Sequence, residues 1–396
     1  MRQDWPDKKG KRAAGAGRRQ GGRGLEEQKR LCRRADASLL GRGARDTYES
    51  LEGLSMEFKR KLPIPKEIKE LYPLSDKGIK TRQECVATIK GILEGVDSRM
   101  LLLVGPCSAD REDAVLDYLQ RLKILSEKVS DKIYIVPRLY TSKPRTSGNA
   151  YKGMLHRPDP SGEDDILKGI IAIRQMHLSA IEDIGFGCAD EMLYPENHRF
   201  ISDLLCYVTI GARSVDDQQH KLTASGLEIP VGLKNPMNGN LDALLQDILT
   251  VQNSHLFLYR NWEVESEGNP FAHGILRGYV DHTGESHCNC DASGLALACR
   301  KMLDGGVKNP SLVVDCNHSN SGKDYLKQVD LARNICALRR EGEGGLRETV
   351  KGLMLESYIE DGNQEEHGAV YGQSITDACL GWEKTEKLVL ELADMW

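Results

Sequence analysis

Long apolar runs are missing from this 396-residue chain. None approaches the roughly 20 residues that a membrane-spanning helix needs. The basic start has no apolar h-region, so nothing here reads as a secretory signal. There is no Gly-x-Gly-x-x-Gly loop, which argues against a dinucleotide site of that kind, and no internal repeat. There is no Cys-x-x-Cys pair and no His-Glu-x-x-His, so the commonest zinc spacings are missing. Eleven cysteines are present, an odd number scattered over a long chain. That is expected of reduced thiols in a cytoplasmic protein and not of a disulfide framework.

The composition is that of a soluble globular protein, with 40% hydrophobic and 29% charged residues. Charge is unevenly spread. Residues 1–45 carry 14 Lys/Arg against 5 Asp/Glu, which leaves 40 against 54 for the remainder. This Gly- and Ala-rich start has too few large apolar residues to offset the entropy of ordering. Residues 1–55 are therefore expected to be a basic disordered leader, with Met56 as the natural start and no nucleic-acid partner. Residues 56–98 read as an N-terminal extension with apolar residues at helical spacing (Ile68, Leu71, Tyr72; Val86, Ile89, Ile92, Leu93), and residues 99–396 as the catalytic domain.

From residue 99 onward, strand-like and helix-like segments alternate. Strands are expected at 100–104, 133–139, up to Asp190-Glu191, and at 206–210, 229–233, 255–260, 312–314 and 352–355. A hairpin insertion after strand six is expected to pass through Ile275-Leu276-Arg277-Gly278. Strands alternating with helices pair in parallel, and eight of them close a (β/α)8 TIM barrel, with an open doubly wound sheet as the alternative. In a barrel the chemistry lies on the loops after the strands. Polar residues follow these strands repeatedly.

Lys143-Pro144-Arg145-Thr146 follows strand two. Proline fixes its own φ, which holds the two cations with little slack, and Arg and Lys together suit a small multiply charged anion. Arg138, Arg213, Lys234 and Arg277 fall in equivalent places. Six cations at one mouth would repel unless anions compensated them, so phosphates and carboxylates are the expected ligands. Cys107, His318, Glu356 and Asp377 follow strands one, seven and eight, which are neighbours in a closed barrel. Sulfur, imidazole and carboxylates suit one divalent metal ion, Mn²⁺, Fe²⁺, Co²⁺ or Zn²⁺. Cys288-Asn289-Cys290 beside His287 reads as a loop with free thiols.

The ordered motifs Gly105-Pro106-Cys107-Ser108, Lys143-Pro144-Arg145-Thr146, Gly211-Ala212-Arg213-Ser214, Pro230-Val231-Gly232-Leu233-Lys234-Asn235, Ile275-Leu276-Arg277-Gly278, Asp315-Cys316-Asn317-His318-Ser319-Asn320 and Gly372-Gln373-Ser374-Ile375-Thr376-Asp377 resemble those of type I 3-deoxy-D-arabino-heptulosonate-7-phosphate (DAHP) synthases. The resemblance covers roughly residues 60–396. It implies condensation of phosphoenolpyruvate with erythrose 4-phosphate, at the entry to the shikimate pathway. It also implies metal ligation by Cys107, His318, Glu356 and Asp377. Arg138, Lys143, Arg213, Lys234, Arg277 and the Ala212 backbone would hold phosphoenolpyruvate. Lys143, Pro144, Arg145, Thr146 and Asp377 would line the erythrose 4-phosphate side. Lys143 and His318 would transfer protons, and Glu191 would stand near the carbon that water attacks. The stretch Ile64–Leu71 is similar to an extension that serves assembly in the family, so a homo-oligomer, dimer or tetramer, is expected. After Arg277-Gly278 the chain departs from the family, reading His287-Cys288-Asn289-Cys290 where an Asn-Tyr pair is common.

Overall fold

The computed structural model describes residues 55–145 and 150–396, so the expected leader, apart from Ser55, and Thr146 lie outside the described residues. The chain divides after Leu71. In the first unit the described helix is Pro65–Leu71. The second unit, Tyr72–Trp396, carries the sheet and everything considered below.

Twelve strands are present among the described residues: β1 (Met100–Gly105), β2 (Ile133–Pro137), β3 (Cys188–Glu191), β4 (Leu205–Ile210), β5 (Val231–Lys234), β6 (Leu256–Tyr259), β7 (Trp262–Glu265), β8 (Ala272–Leu276), β9 (Tyr279–Val280), β10 (Ser286–His287), β11 (Leu312–Asp315) and β12 (Val350–Glu356). Eight of them form one parallel sheet in the order β2-β1-β12-β11-β8-β5-β4-β3. The gap between β2 and β3 is bridged by a parallel pair, Arg138 with Ala189, where Leu139 N–H donates to Ala189 O at 2.8 Å. This is the eight-stranded α/β barrel expected from the alternation. Its strands are buried on both faces, as in Met100–Gly105 and Leu205–Ile210, so they read as continuous apolar runs.

Strand six needs correction. The expected segment, around 255–260, forms β6, which pairs antiparallel with β7 in an exposed ribbon. Arg260 and Asn261 turn this ribbon with φ of 54° and 62°, the positive pair that a tight two-residue hairpin requires. The sixth barrel strand is β8, in the stretch expected to be the hairpin, and all five of its residues are buried. Leu256-Phe257-Leu258-Tyr259 is the more apolar run, but alternate residues face solvent. Ala272-His273-Gly274 conceals a core strand behind a polar residue. His273 is buried with a hydrogen bond between Nε2 and Tyr207 OH at 2.8 Å, and burial pushes its pKa down to about 4. A short hairpin, β9–β10, does follow this strand.

The strands' N-terminal end is closed by the helix Asp76–Glu94, capped by the Ser75 side chain accepting from Gly78 N–H. Its buried face, Cys85, Ile89, Ile92 and Leu93, belongs to one cluster with Leu101, Leu103, Val136, Tyr207, Ile275, Val313 and Met354 of the barrel interior. Arg82 Nε donates to Leu205 O at 3.0 Å and Ser311 Oγ to Leu93 O at 3.1 Å, which fixes the helix across the strand starts. The opposite end is left for polar chemistry. All ten described cysteines are free thiols, and no described helix is long and apolar enough to cross a membrane.

Ile89 is fully buried in this plug. Ile89→Ala should lower the free energy of unfolding by about 2–5 kcal/mol, the usual cost of a core isoleucine deletion, read as a lower urea midpoint with an unchanged slope. An unchanged midpoint would contradict a packed barrel floor.

Candidate active site

The polar residues singled out in the sequence converge because parallel register puts the strand ends at one level. Glu356 closes β12 opposite Gly105 of β1, and Cys107 follows two residues later. Asp315 ends β11, Lys234 ends β5 and Glu191 ends β3. Arg138, Lys143, Pro144, Glu191, Ala212, Arg213, Lys234, Arg277, His318 and Asp377 line one pocket at this end of the barrel. Arg145 does not line it; its Nε donates to Tyr151 O at 3.0 Å.

Three of the cations are buried. Arg138 is 1% exposed, its guanidinium lies 3.9 Å from the centre of the Tyr140 ring, and Nη2 is 3.1 Å from Glu356 Oε1. Its Nε and Nη1 are buried without a hydrogen-bond partner. Lys234 Nζ stands 3.1 Å from Asp315 Oδ2. Arg277 is 6% exposed, and burial pulls its guanidinium pKa below the ordinary value. Its backbone N–H is fixed by Asn235 Oδ1 at 2.9 Å, whereas its Nη1 reaches only Met237 Sδ at 3.6 Å. Arg213 is exposed at the rim. Leaving a buried donor unmatched costs roughly 1–3 kcal/mol each. The pocket is thus suited to anions.

On the other side, the ligating atoms of Cys107, Glu356 and Asp377 lie within 4.8 Å of one another. His318 stands beside them but outside that group: Nε2 is 3.7 Å from Glu356 Oε1, and Nδ1 is 2.8 Å from Asp315 Oδ2. Its φ of 49° is unusual for a residue with a side chain, a strain that collects at functional positions. Glu356 Oε2 accepts from Asn317 Nδ2 at 2.6 Å, while the buried Oε1 makes no hydrogen bond and is answered only by the Arg138 ion pair at 3.1 Å. Lys143 Nζ sits 2.6 Å from Cys107 Sγ and 3.2 Å from Asp377 Oδ2.

Electrostatics match this geometry. Burial disfavours the Glu356 and Asp377 carboxylates, yet Arg138, His318 and Lys143 around the first, and Lys143, Lys323 and His318 around the second, hold both below their ordinary pKa. Burial pushes the Cys107 thiol up to about 11, helped by Glu356. A divalent cation reverses that preference, because a coordinated thiol is deprotonated outright. A buried carboxylate oxygen without a hydrogen bond, a buried sulfur and a second carboxylate, with an imidazole alongside, therefore fit a transition-metal ion.

Glu191 leans over the turn after β4. Its Oε1 lies in the space that a Cβ at Gly211 would enter. Sequence reasoning assigned no role to Tyr140, Asp315, Asn235 or Lys323. Asp315 had a usable signal, a carboxylate closing an apolar run. It compensates Lys234 and faces His318, and these two neighbours outweigh its burial and hold its pKa well below the ordinary value.

The DAHP synthetase I family model matches residues 77–390. The chain is 34% identical over 353 residues to the Tyr-sensitive phospho-2-dehydro-3-deoxyheptonate aldolase of Salmonella typhimurium, covering 87% of this chain and 96% of that one. It is 33% identical over 348 residues to the phospho-2-dehydro-3-deoxyheptonate aldolase of Corynebacterium glutamicum, covering 84% and 91%. Among solved structures, the phospho-2-dehydro-3-deoxyheptonate aldolase of Francisella tularensis superposes with a TM-score of 0.77 at 28% identity, over 86% of this chain and 98% of that one.

The unmatched cations give a direct test. Inorganic phosphate should raise the thermal unfolding midpoint, since a ligand at 100 times its Kd adds about 2.7 kcal/mol to stability. Arg277→Ala should lose most of that shift. An equal shift in both proteins would place the phosphate elsewhere.

Proposed function

The chain belongs to the DAHP synthetase I family, and we propose that its barrel mouth joins phosphoenolpyruvate to erythrose 4-phosphate and water, giving DAHP and phosphate, the first step of aromatic biosynthesis. The observation that carries this reading is the pairing of two half-sites in one mouth. One is a pit of buried cations in which Arg138 keeps two donors unmatched. The other is the Cys107–Glu356–Asp377 group with His318 beside it.

In this reading Arg138, Lys234, Arg277 and Arg213 hold the phosphate and carboxylate of phosphoenolpyruvate, with the Ala212 backbone. Lys143, Pro144, Arg145, Thr146 and Asp377 line the side taken by erythrose 4-phosphate. Fixing both substrates replaces the entropy of encounter with geometry, which counts heavily for a weak carbon nucleophile. Cys107, His318, Glu356 and Asp377 would hold one divalent ion, Mn²⁺, Fe²⁺, Co²⁺ or Zn²⁺, which when bound supplies Lewis-acid polarisation of the aldehyde carbonyl.

C3 of phosphoenolpyruvate then bonds to the aldehyde carbon, whose oxygen takes a proton. Burial works against the Lys143 ammonium, but Cys107, Glu356 and Asp377 outweigh it and hold its pKa above the ordinary value. Lys143 is therefore a charged donor at neutral pH, and in this reading it protonates that oxygen. Burial lowers the His318 pKa, so its imidazole is a candidate acceptor wherever it is not engaged as a ligand. The carbon left positive, C2, takes up water on the side where Glu191 can accept the proton. Phosphate departs with its C–O bond broken. The same reading carries a cytoplasmic homo-oligomer, dimer or tetramer, with residues 56–98 as its extension.

Phosphate release from phosphoenolpyruvate should be rapid with erythrose 4-phosphate, abolished by EDTA and restored by a divalent metal. Release with arabinose 5-phosphate alone would overturn the substrate assignment. Lys234→Ala should raise KM for phosphoenolpyruvate by a factor that corresponds to about 2–3 kcal/mol, the scale of a charge-assisted bond; an unchanged KM would remove Lys234 from the site. Co²⁺ added to the EDTA-treated protein should give a near-ultraviolet thiolate-to-cobalt band that Cys107→Ser lacks. Persistence of the band in that variant would place the metal elsewhere.

A further inference from the structure

The pair Cys288 and Cys290 has no part in the reaction above. Their sulfurs lie 3.1 Å apart, and the Cys290 N–H also points at Cys288 Sγ, at 3.2 Å. Cys288 is the exposed member, whereas Cys290 and the other described cysteines are buried. One thiol is thus open to an incoming reagent, and its partner waits behind it at near-bonding distance. We propose that Cys288 and Cys290 form a thiol–disulfide exchange site for small disulfides of the glutathione class, and that closing it resets the loop that positions Arg277.

The exchange balances in two steps. The Cys288 thiolate attacks one sulfur of the small disulfide, forming a mixed disulfide and expelling one thiolate. The Cys290 sulfur, its proton passing to solvent or to the departing thiolate, attacks Cys288 Sγ. That forms the Cys288–Cys290 bond and releases the second small thiol. The protein dithiol is oxidised and the small disulfide is reduced to two thiols. The donors around Cys288 favour its attack: the Cys290 thiol lowers the Cys288 pKa to about 6, while burial and that same thiolate hold Cys290 high. An exposed thiol with thiolate character at neutral pH is the attacking partner in such exchange.

Closure reaches the barrel mouth through Asn289, which lies between the two cysteines. A disulfide holds its sulfurs at about 2.0 Å, so roughly an ångström of approach is shared between the two cysteine side chains and the backbone of the one residue between them. Asn289 Oδ1 accepts from Gly278 N–H at 2.8 Å, directly after Arg277. Its Nδ2 donates to Asn235 Oδ1 at 3.1 Å, and its N–H donates to Asn320 Oδ1 at 2.9 Å. Gly278 has φ of 72° and no room for a side chain, so its placement depends on those bonds. Asn289 is a positioning residue, and the cation it positions is Arg277.

The test treats the reduced, full-length protein with glutathione disulfide at neutral pH and maps its peptides by mass spectrometry. The wild type should lose two hydrogens within the peptide carrying Cys288 and Cys290, retain no glutathione, and recover with dithiothreitol. Cys290→Ser should retain one glutathionyl group on Cys288, and Cys288→Ser should not react there. Two free thiols after treatment, or a stable glutathionyl adduct on wild-type Cys288, would overturn the exchange site. In the same samples, KM for phosphoenolpyruvate should rise several-fold on closure with a smaller change in kcat, and Cys288→Ser should show no such rise. Closure with an unchanged KM would overturn the link to Arg277. That readout rests on the proposed reaction, whereas the peptide masses do not. If reduced enzyme turns over no substrate, the reaction has failed and the masses still decide the exchange site.

Discussion

Three cations buried around one small space, with two buried carboxylates to answer them, constrain everything else at this end of the barrel. Arg138, Lys234 and Arg277 would each be costly alone in the interior. Like charges a few ångströms apart repel by about 4 kcal/mol at an effective dielectric constant of 20. Asp315 and Glu356 offset part of this, at 3.1 Å from Lys234 and from Arg138 respectively. The Tyr140 ring faces both of these cations, with centroid distances of 3.9 Å to Arg138 and 5.8 Å to Lys234. What is left over is a positive pit that an anion would complete. The protein keeps the pit because the rest of its barrel can carry the cost.

Register is how it does so. In parallel strands the side-chain period is two, so a slip by one residue would turn every inward group outward. Gly105 pairs with Glu356, Asp315 with Met354, and Lys234 with Ile275. These staggered pairings bring carboxylates and cations to the same end of the ring. The apolar half of each strand, ending against the helix Asp76–Glu94, holds that register by burial. The polar end inherits positions that it could not secure by its own interactions.

This division also explains what the sequence revealed. Seven of the eight barrel strands were legible, most of them because burial on both faces leaves a nearly unbroken apolar run; Cys188–Glu191, half of it carboxylate, is the exception. The eighth, Ala272–Leu276, was obscured because its one large polar residue, His273, is satisfied by Tyr207 and the Phe271 carbonyl, and no local pattern announces those partners. The exposed ribbon Leu256–Tyr259 was more apolar and misled for that reason. The cations that follow strands were legible, since they are conspicuous in the sequence, and the structure gathers Arg138, Lys143, Arg213, Lys234 and Arg277 around one pocket. Tyr140 carried no such sign, and Asp315, although its carboxylate closes an apolar run, gave none of its partner Lys234 across the barrel. Arg145 shows the converse limit: a cation in the right motif turns back to the Tyr151 carbonyl.

The loops after β5, β8 and β11 depend on one another through three asparagines and not through their charges. Asn235 accepts from Arg277 N–H and donates to Gly278 O, at 2.9 Å in each case. Asn320 donates to Leu276 O and Asp315 O, and Asn289 joins both of these asparagines. An amide side chain can accept and donate at once, which lets one residue fix two backbone strands without adding charge to a site already crowded with it. In a pit of like charges the cations cannot order one another, since each gains by moving away. Their positions must be set from the backbone, and a neutral network of amides can do this at a cost that does not depend on whether the anion is present. The same network makes the mouth answerable to anything that displaces Asn289, and the two thiols that flank it are placed to do so.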